Sequence, residues 1–506
     1  MIQHHQERDR RPGTRYKAGR FNRNPREDQR LPHMYHWLNC DLMHPSQNLS
    51  SRALQPLTHR RVFAVAIPAF LSGITEPLLS LADVVIMGQL ETEGLQGGVT
   101  AGSEIFVFTL WTLGFLRLST GGFSAQAFGE QNDAKLFAVL WRGLLIAAVG
   151  GSIIALLAPL FWGVLNAVMG WQPEVRPALE AYLNVRVWSA PAVLFSYVCF
   201  GWLIGQQRTG LVLLLQAFIN LSNIGVTWWL VLGLDMGAAG AALGSVIASY
   251  AGVVLGLIIL VGLGLGRRAS RDGLQGFCDA KRWINLFSTN SDFFLRSLSF
   301  AVSFMVFFKV ADWLDQSQGL PGVNTDAVAV LWQYLGLIVF GLDAFAVAAE
   351  AFSGEAVGAR RRDRLKRAAR LVFFWSGVTA VFCALLAGTV GYWALPLITK
   401  LPDVIELTRS LMPYVILSGF VMAPAFMFDG LYLGATRARD MRNAVLLGGL
   451  AQVVTTFSLL HWLGIHGLWL SMIAFMTARG LYLFLRYPAF VASVPDTGSA
   501  ETKAKA

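Results

Sequence analysis

Long apolar segments separated by short polar stretches recur along the chain after residue 60. A helix needs about 20 mostly apolar residues to cross a bilayer, and a chain in lipid must satisfy its backbone hydrogen bonds internally. The pattern therefore predicts an all-α membrane protein with about twelve transmembrane helices. The predicted spans are 61–88, 98–127, 135–165, 178–204, 210–233, 238–263, 285–315, 325–356, 368–393, 410–434, 442–463 and 466–487.

The last six spans repeat the first six at a constant offset of 229 residues. The sequence SAQAFG at 124–129 matches SGEAVG at 353–358, and the pair Ala-Asp that ends at Asp83 returns at Asp312. The same offset relates Gly201, Gly205 and Arg208 to Gly430, Gly434 and Arg437. Because six is an even number, both copies cross the membrane in the same direction, as in transporters built from parallel repeats.

The repeat divides the chain into five predicted regions. Two six-helix lobes occupy 61–263 and 285–487, and a basic cytoplasmic linker occupies 264–284. Residues 1–60 are rich in Arg, Asn and Pro and are predicted to form a disordered basic cytoplasmic tail. Residues 488–506 form a second predicted cytoplasmic tail.

Charge is scarce and confined mainly to the polar stretches. Hydrophobic residues make up 55% of the chain and charged residues only 14%, with a net charge of +10. Basic residues concentrate in 264–284, 357–370 and 435–442, whereas 89–97 carries two glutamates and 316–324 lacks Lys and Arg. This bias predicts an integral plasma (inner) membrane protein with both termini in the cytoplasm. It also argues against nucleic acid as a partner, which would require a folded basic face.

Two carboxylates in the first span are the main candidates for ion coupling. Glu76 and Asp83 are seven residues apart and share a helix face, with no Lys or Arg within a helical turn of either. A desolvated carboxylate without a cation can bind and release a proton near neutral pH. Asp312, in contrast, follows Lys309 by three residues. Asp83 is therefore the predicted proton carrier; the alternative is a structural carboxylate that caps a helix or bonds Asn223.

Other polar residues inside the spans are candidates for the substrate or coupling pathway, because placing them in lipid is costly. The candidates besides Glu76 are Arg117, Asn220, Asn223, Asp343, Glu350 and Asp429. Glu104, Arg186 and Arg479 are further polar positions in the spans. For each residue alone, a structural ion pair or hydrogen bond remains the alternative, and Arg117 suits a counter-ion for a carboxylate.

Signatures of enzymes are absent from the sequence. There is no Walker A loop and no H-E-x-x-H motif, and the four cysteines form no metal-ligand pattern. We therefore expect no catalytic residues, no metal site and no cofactor. A membrane-embedded transferase would also need polar clusters in long loops, and most loops are short.

Five stretches together resemble the multidrug and toxic compound extrusion (MATE) transporters, specifically the DinF branch. They are PLLSLADVVIMGQL at 77–90, FLRLSTGGFSAQAFG at 115–129, AAEAFSGEAVG at 348–358, DGLYLGATRARDMRN at 429–443 and LGIHGLWL at 463–470. The resemblance covers about 61–487. It implies a V-shaped pair of six-helix lobes and cation-driven export of amphipathic, often cationic, compounds.

The resemblance also bears on the coupling residue. In proton-coupled members the aspartate of an L-x-D motif in the first helix is the coupling residue, and that position is Asp83. The family pattern in the fifth helix is Asn followed four residues later by Asp, but here Asn223 is followed by Thr227. The departure removes one carboxylate of a sodium site in the first lobe.

These observations predict a monomeric, proton-coupled antiporter that exports amphipathic small molecules by alternating access. Protonation of Asp83 would release substrate bound in the lobe cavity. Two alternatives remain open at this point: sodium-coupled antiport, and a flippase for lipids or lipid-linked sugars.

Overall fold

Twelve long helices account for nearly all of the residues that the structure describes and confirm the predicted fold class. The computed structural model describes residues 54–90, 95–169, 173–265, 277, 279–319 and 322–496. Twelve helices of this part are long and apolar enough to cross a membrane. They are α1 His59–Met87, α2 Leu95–Gly129, α3 Asp133–Met169, α4 Arg176–Gly205, α5 Thr209–Gly233, α6 Gly237–Gly262, α7 Ala280–Gln318, α8 Val323–Gly358, α9 Arg362–Ile398, α10 Pro402–Gly434, α11 Ala438–Leu463 and α12 Ile465–Ser493.

Several spans contain local irregularities. A turn at Leu113 and Gly114 separates the two segments of α2. A 3₁₀ turn interrupts α4 just before Pro191, whose ring has no N–H to continue the ladder. A π-helical turn ends α5 and another interrupts α9, while α1 and α10 each contain two internal prolines.

The backbone conformation shows the same internal repeat as the sequence. Residues with positive φ other than glycine are uncommon, and here they mark equivalent turns of the two copies. Three pairs of positive-φ residues are separated by 229 positions: Gln131 and Arg360, Gln207 and Thr436, and Asp235 and Gly464. The turns between successive spans are therefore built alike in residues 54–265, the first half, and in residues 279–496, the second half.

The turns also define the two ends of the helix bundle. The turns at 130–132, 206–208, 359–361 and 435–437 lie at one end, together with the starts of α1 and α7. We call it the basic end, because arginines lie in three of these four turns and Lys135 follows the turn at 130–132. The turns at 234–236 and 464 lie at the opposite end. Which end faces the cytoplasm remains a prediction from the distribution of charge.

Helices α2 and α8 cross at very short range near the basic end. A Cβ atom placed on Gly129 would collide with the carbonyl oxygen of Glu355, and one placed on Gly358 would collide with that of Gln126. Gly129 and Gly358 are equivalent positions of the repeat, so the contact is reciprocal. Small residues let helix backbones approach in this way, and the two halves are joined here.

The ends of the predicted lobes differ from the structure. Helix α1 begins at His59, and Leu57 is buried, although both residues fall in the predicted disordered tail. Helix α12 continues to Ser493, inside the predicted second tail. A search for long apolar segments does not include these helix ends, which are held in place by contacts between distant residues. Residues 1–53 and 497–506 lie outside the described residues, as does most of the predicted linker.

We expect Gly358→Ala to destabilise the protein by about 1–3 kcal/mol or more, because the added methyl group meets backbone rather than a movable side chain. The measurement is the thermal unfolding midpoint in detergent. Gly377→Ala in α9 is the matched control, since a Cβ there meets nothing within 4 Å. An equal effect at both positions would contradict the close crossing.

Candidate functional site

Asp83 has a free carboxylate on α1. Its side chain is partly exposed, and within the described part of the chain it forms no hydrogen bond or ion pair. Arg186 on α4 is the cation whose charge acts on it. The Arg186 guanidinium instead donates to Ser189 Oγ at 2.8 Å and lies 4.5 Å from the ring centre of Phe106. The arginine is thus held by its own neighbours, which leaves Asp83 available to a proton or a ligand.

Glu76 lies two turns earlier on α1, and its side chain is exposed. Tyr197 on α4 is within electrostatic range of Glu76, Arg117 and Arg186. We call Glu76, Asp83, Arg117, Arg186 and Tyr197 the first-half patch. It contains two carboxylates, two guanidinium groups and a phenol. The patch collects polar groups of α1, α2 and α4.

The two predicted asparagines on α5 take part in neutral hydrogen bonds. Asn223 donates to Ser245 Oγ at 2.9 Å and accepts from Thr227 Oγ1 at 3.0 Å. Asn220 donates to Thr75 Oγ1 on α1 at 2.9 Å. The side chain of Asn223 is therefore occupied by α5 and α6, and it does not hold Asp83. Thr227, which stands where the family pattern has a carboxylate, completes this chain.

Asp429 on α10 is neutralised by two arginines. Its Oδ2 accepts from Arg296 on α7 at 2.5 Å and from Arg479 on α12 at 2.6 Å. Arg479 is 1% exposed, and its guanidinium also lies over the ring of Phe300. A carboxylate held between two cations is poorly suited to bind a further cation. Asp429 therefore serves as a structural centre of the second half, and sequence reasoning missed its partner Arg296.

Glu350 and Asp343 lie on α8 and connect the second half to the first-half patch. Glu350 is 1% exposed, and its Oε2 lies 3.7 Å from Arg117 Nη1 on α2. Asp343 is exposed and lies within electrostatic range of Arg117, Arg296 and Asp429. Arg117 is thus the counter-ion that its position suggested, and it bridges the two halves.

Sequence reasoning missed a second connection between the halves, centred on Glu355 near the end of α8. This carboxylate accepts hydrogen bonds from four donors: Leu54 N at 2.5 Å, Arg61 at 3.3 Å, Arg364 at 3.1 Å and Gln207 at 3.1 Å. Three of these donors belong to the first half. We call this arrangement the Glu355 clamp, and it closes the basic end.

The clamp has a counterpart at the equivalent position of the repeat. Gln126 corresponds to Glu355 and Thr436 to Gln207, since each pair is 229 residues apart. Gln126 Nε2 donates to Thr436 Oγ1 and to the Gly434 carbonyl, both at 3.0 Å. The two halves thus make reciprocal hydrogen bonds, but the carboxylate lies in the second half and a neutral amide occupies the equivalent position of the first half. Positions 126 and 355 are equivalent in the SAQAFG and SGEAVG motifs, and this equivalence was the sequence signal that could have indicated the paired contacts.

The repeat counterpart of Asp83 has a partner. Asp312 on α7 lies 3.8 Å from Lys309 Nζ, and both side chains are substantially exposed. The pairing anticipated from their spacing of three residues is present in the structure. The two equivalent aspartates therefore differ in their electrostatic environment.

Metal ligands do not cluster in the described residues: no group of three or more His, Cys, Asp or Glu side chains there has the geometry of a metal site. Cys199 and Cys383 are free thiols. Cys40 and Cys278 lie outside the described residues.

Comparison with known sequences connects both halves to one family. The family model described as MatE matches residues 68–229 and 294–458. The chain is 33% identical over 428 residues to DNA damage-inducible protein F of Escherichia coli (strain K12), covering 84% of this chain and 91% of that protein. It is 20% identical over 417 residues to the multidrug export protein MepA of Staphylococcus aureus (strain MSSA476), covering 81% and 89%.

Solved structures share the fold. An outward-facing multidrug resistance MATE family transporter of the MOP superfamily superposes with a TM-score of 0.75 at 18% identity, covering 87% of this chain and 97% of that chain. A mutant of the Vibrio cholerae MATE transporter VcmN gives a TM-score of 0.76 at 16% identity, covering 88% and 99%.

We expect Asp429→Asn to lower the free energy of unfolding by about 3–5 kcal/mol, because it leaves the buried Arg479 and the partly buried Arg296 without a counter-charge. Thermal unfolding in detergent measures the effect. The control is Asp363→Asn, which removes an exposed partner of Arg361 at the start of α9 and should cost less than about 1 kcal/mol. A neutral Asp429→Asn would show that this network does not stabilise the fold.

Proposed function

This chain belongs to the MatE family of membrane transporters, and we propose from that premise that it exports amphipathic, often cationic, small molecules in exchange for protons. Members of the family transport small molecules within the membrane and are not enzymes. The multidrug relatives support a broad substrate class. The proposed setting is a monomer in the plasma (inner) membrane with both termini in the cytoplasm.

The free carboxylate of Asp83 is the observation that carries the proposal of proton coupling. A coupling group must be able to exchange its proton for substrate, and a permanently paired carboxylate cannot do so. The carboxylates of Asp429 and Glu355 are occupied by arginines, whereas that of Asp83 is unpaired among the described residues. In the proposed cycle, ionised Asp83 favours cationic substrate in the cavity, and protonation releases it.

The surroundings of Asn223 favour a proton over sodium as the coupling ion. Sodium binding requires several oxygen ligands, preferably with negative charge. Asn223 Oδ1 instead accepts from Thr227, and Thr227 supplies a hydroxyl where a carboxylate would be needed. A proton needs only one carboxylate, and Asp83 provides it.

The energy of one proton is sufficient for useful export. Moving one charge through 100 mV supplies about 2.3 kcal/mol, and each unit of pH difference adds about 1.4 kcal/mol. Since about 1.4 kcal/mol corresponds to a tenfold concentration ratio, one proton supports a gradient of a hundredfold or more for a neutral substrate.

We expect Asp83→Asn to insert normally in the membrane but to lose export. The assay uses everted vesicles with an imposed proton gradient, in which a pH-sensitive dye reports proton release when cationic dyes are added. Wild type should respond equally in sodium and potassium buffers. The matched control is Asp312→Asn at the equivalent position, which should retain export because Asp312 is already paired with Lys309.

Three results would contradict the proposal. Full export by Asp83→Asn would exclude Asp83 as the coupling residue, and a strict need for sodium would indicate a different coupling ion. Movement of a fluorescent lipid between leaflets of proteoliposomes, without any response to cationic dyes, would favour a flippase.

A further inference from the structure

Glu350 occupies an unusual position at the crossing of α2 and α8. Its carboxylate lies so close to Gly121 that a Cβ placed on that glycine would collide with Oε1. Gly121 is also the repeat counterpart of Glu350, 229 residues earlier. A side chain that contacts its own repeat counterpart lies close to the pseudo-twofold axis that relates the two halves. Any movement of one half relative to the other must therefore change the surroundings of Glu350.

The Glu350 carboxylate is incompletely satisfied. Oε1 is buried and has no hydrogen-bond partner among the described residues, and Oε2 has only the 3.7 Å ion pair with Arg117. A buried charge with one distant counter-ion and an unsatisfied oxygen is costly to maintain. Glu355, five residues later on the same helix, accepts from four donors. The two buried glutamates of α8 thus differ sharply in how firmly their ionised forms are held.

The other charged groups near α8 are already engaged or carry the same sign. Arg61 on α1 and Arg364 on α9 bind Glu355, and Arg296 on α7 binds Asp429 on α10. Asp343, on α8 itself, is the other acid that acts on Glu350. Further titratable groups of the packed helices include Glu76 on α1, Tyr197 on α4 and Tyr432 on α10, whose hydroxyl donates to the Leu483 carbonyl. Arg117 is therefore the cation that stabilises ionised Glu350.

We propose that Glu350 and Arg117 form a proton-operated latch between the two halves, in which protonated Glu350 holds them together and ionised Glu350 favours their separation at the basic end. The inference rests on the proposed transport function, because it supplies the step that links proton binding to the closing of the basic end. Asp83 exchanges its proton for substrate, whereas Glu350 regulates the conformational change and contacts no substrate.

Thermodynamic linkage gives the direction of the effect. In the closed arrangement Glu350 is 1% exposed and its Oε1 has no hydrogen-bond partner among the described residues, and the ion pair with Arg117 at 3.7 Å offsets the cost of its charge only in part. When α2 and α8 separate, water reaches the carboxylate and stabilises its ionised form. Protons therefore bind more readily to the closed arrangement, and by reciprocity protons favour closure. Lower pH should close the basic end, and higher pH should open it.

The test measures the distance between spin labels on the two halves by pulsed electron paramagnetic resonance in nanodiscs. The labels are attached at Gln131→Cys and Lys366→Cys, two exposed positions at the basic end, in a background without the native cysteines. All measurements are made with Asp83→Asn, so that the proposed coupling residue does not contribute to the response. The population with long distances should decrease as the pH falls from about 8 to about 5.

Adding Glu350→Gln should abolish this pH response, because glutamine imitates the protonated state and carries no charge at any pH. Arg117→Gln should shift the response to higher pH, because it removes the counter-ion of ionised Glu350, which provides a second variant if Glu350→Gln folds poorly. Glu355→Gln is the matched control: it weakens the clamp and favours long distances, but the response to pH should remain.

A pH response that persists in Glu350→Gln, or one that is already absent with Asp83→Asn alone, would overturn the latch. Neither result would affect the export assay, in which Asp83→Asn tests the proposed function by itself. Loss of export in Asp83→Asn, together with a persistent response in Glu350→Gln, would thus support the antiporter and reject the latch.

Discussion

The contact between α2 and α8 is the constraint on which the rest of the structure depends. Gly129 and Gly358 allow the backbones to touch, and each glycine faces a carbonyl oxygen of the other helix. Because the two positions are equivalent in the repeat, this contact fixes the symmetry between the halves. It also determines where Glu350 and Glu355 lie, since both follow from the position of α8 against α2. A larger side chain at the crossing would collide with the facing backbone and push α2 and α8 apart.

Desolvation then decides which charges can serve function. A charge inside a bilayer requires a partner, a cavity or a change of protonation. The structure meets this requirement differently in the two halves, with Asp429 between two arginines and Asp83 without a direct partner in the described part of the chain. We interpret the carboxylates with direct arginine partners as stabilising the fold. The carboxylates with few or no partners are the candidates for binding protons.

The sequence was sufficient for the spans and the repeat because both are local patterns. The length of each apolar segment predicts a helix. The matching motifs around residues 129 and 358 reveal the duplication from the sequence alone. The pair of Lys309 and Asp312 was accessible for the same reason, since both lie on one helix face. The partners of Glu355 and Asp429 were not accessible, because Arg61 and Arg296 are 294 and 133 residues away from them.

The combination of a symmetric backbone with asymmetric charges has a mechanistic consequence. Reciprocal turns and reciprocal glycine contacts let two similar halves pivot about their crossing, as the proposed alternating access requires. Perfect chemical symmetry would give both halves the same response to protons. In the repeat, Gln126 corresponds to Glu355 and Gly121 to Glu350. The carboxylates at the crossing therefore come from the second half, and the arginines that pair with them come largely from the first half. Separation of the halves would therefore break ion pairs rather than exchange equivalent ones, and the proposed dependence on protonation rests on this asymmetry.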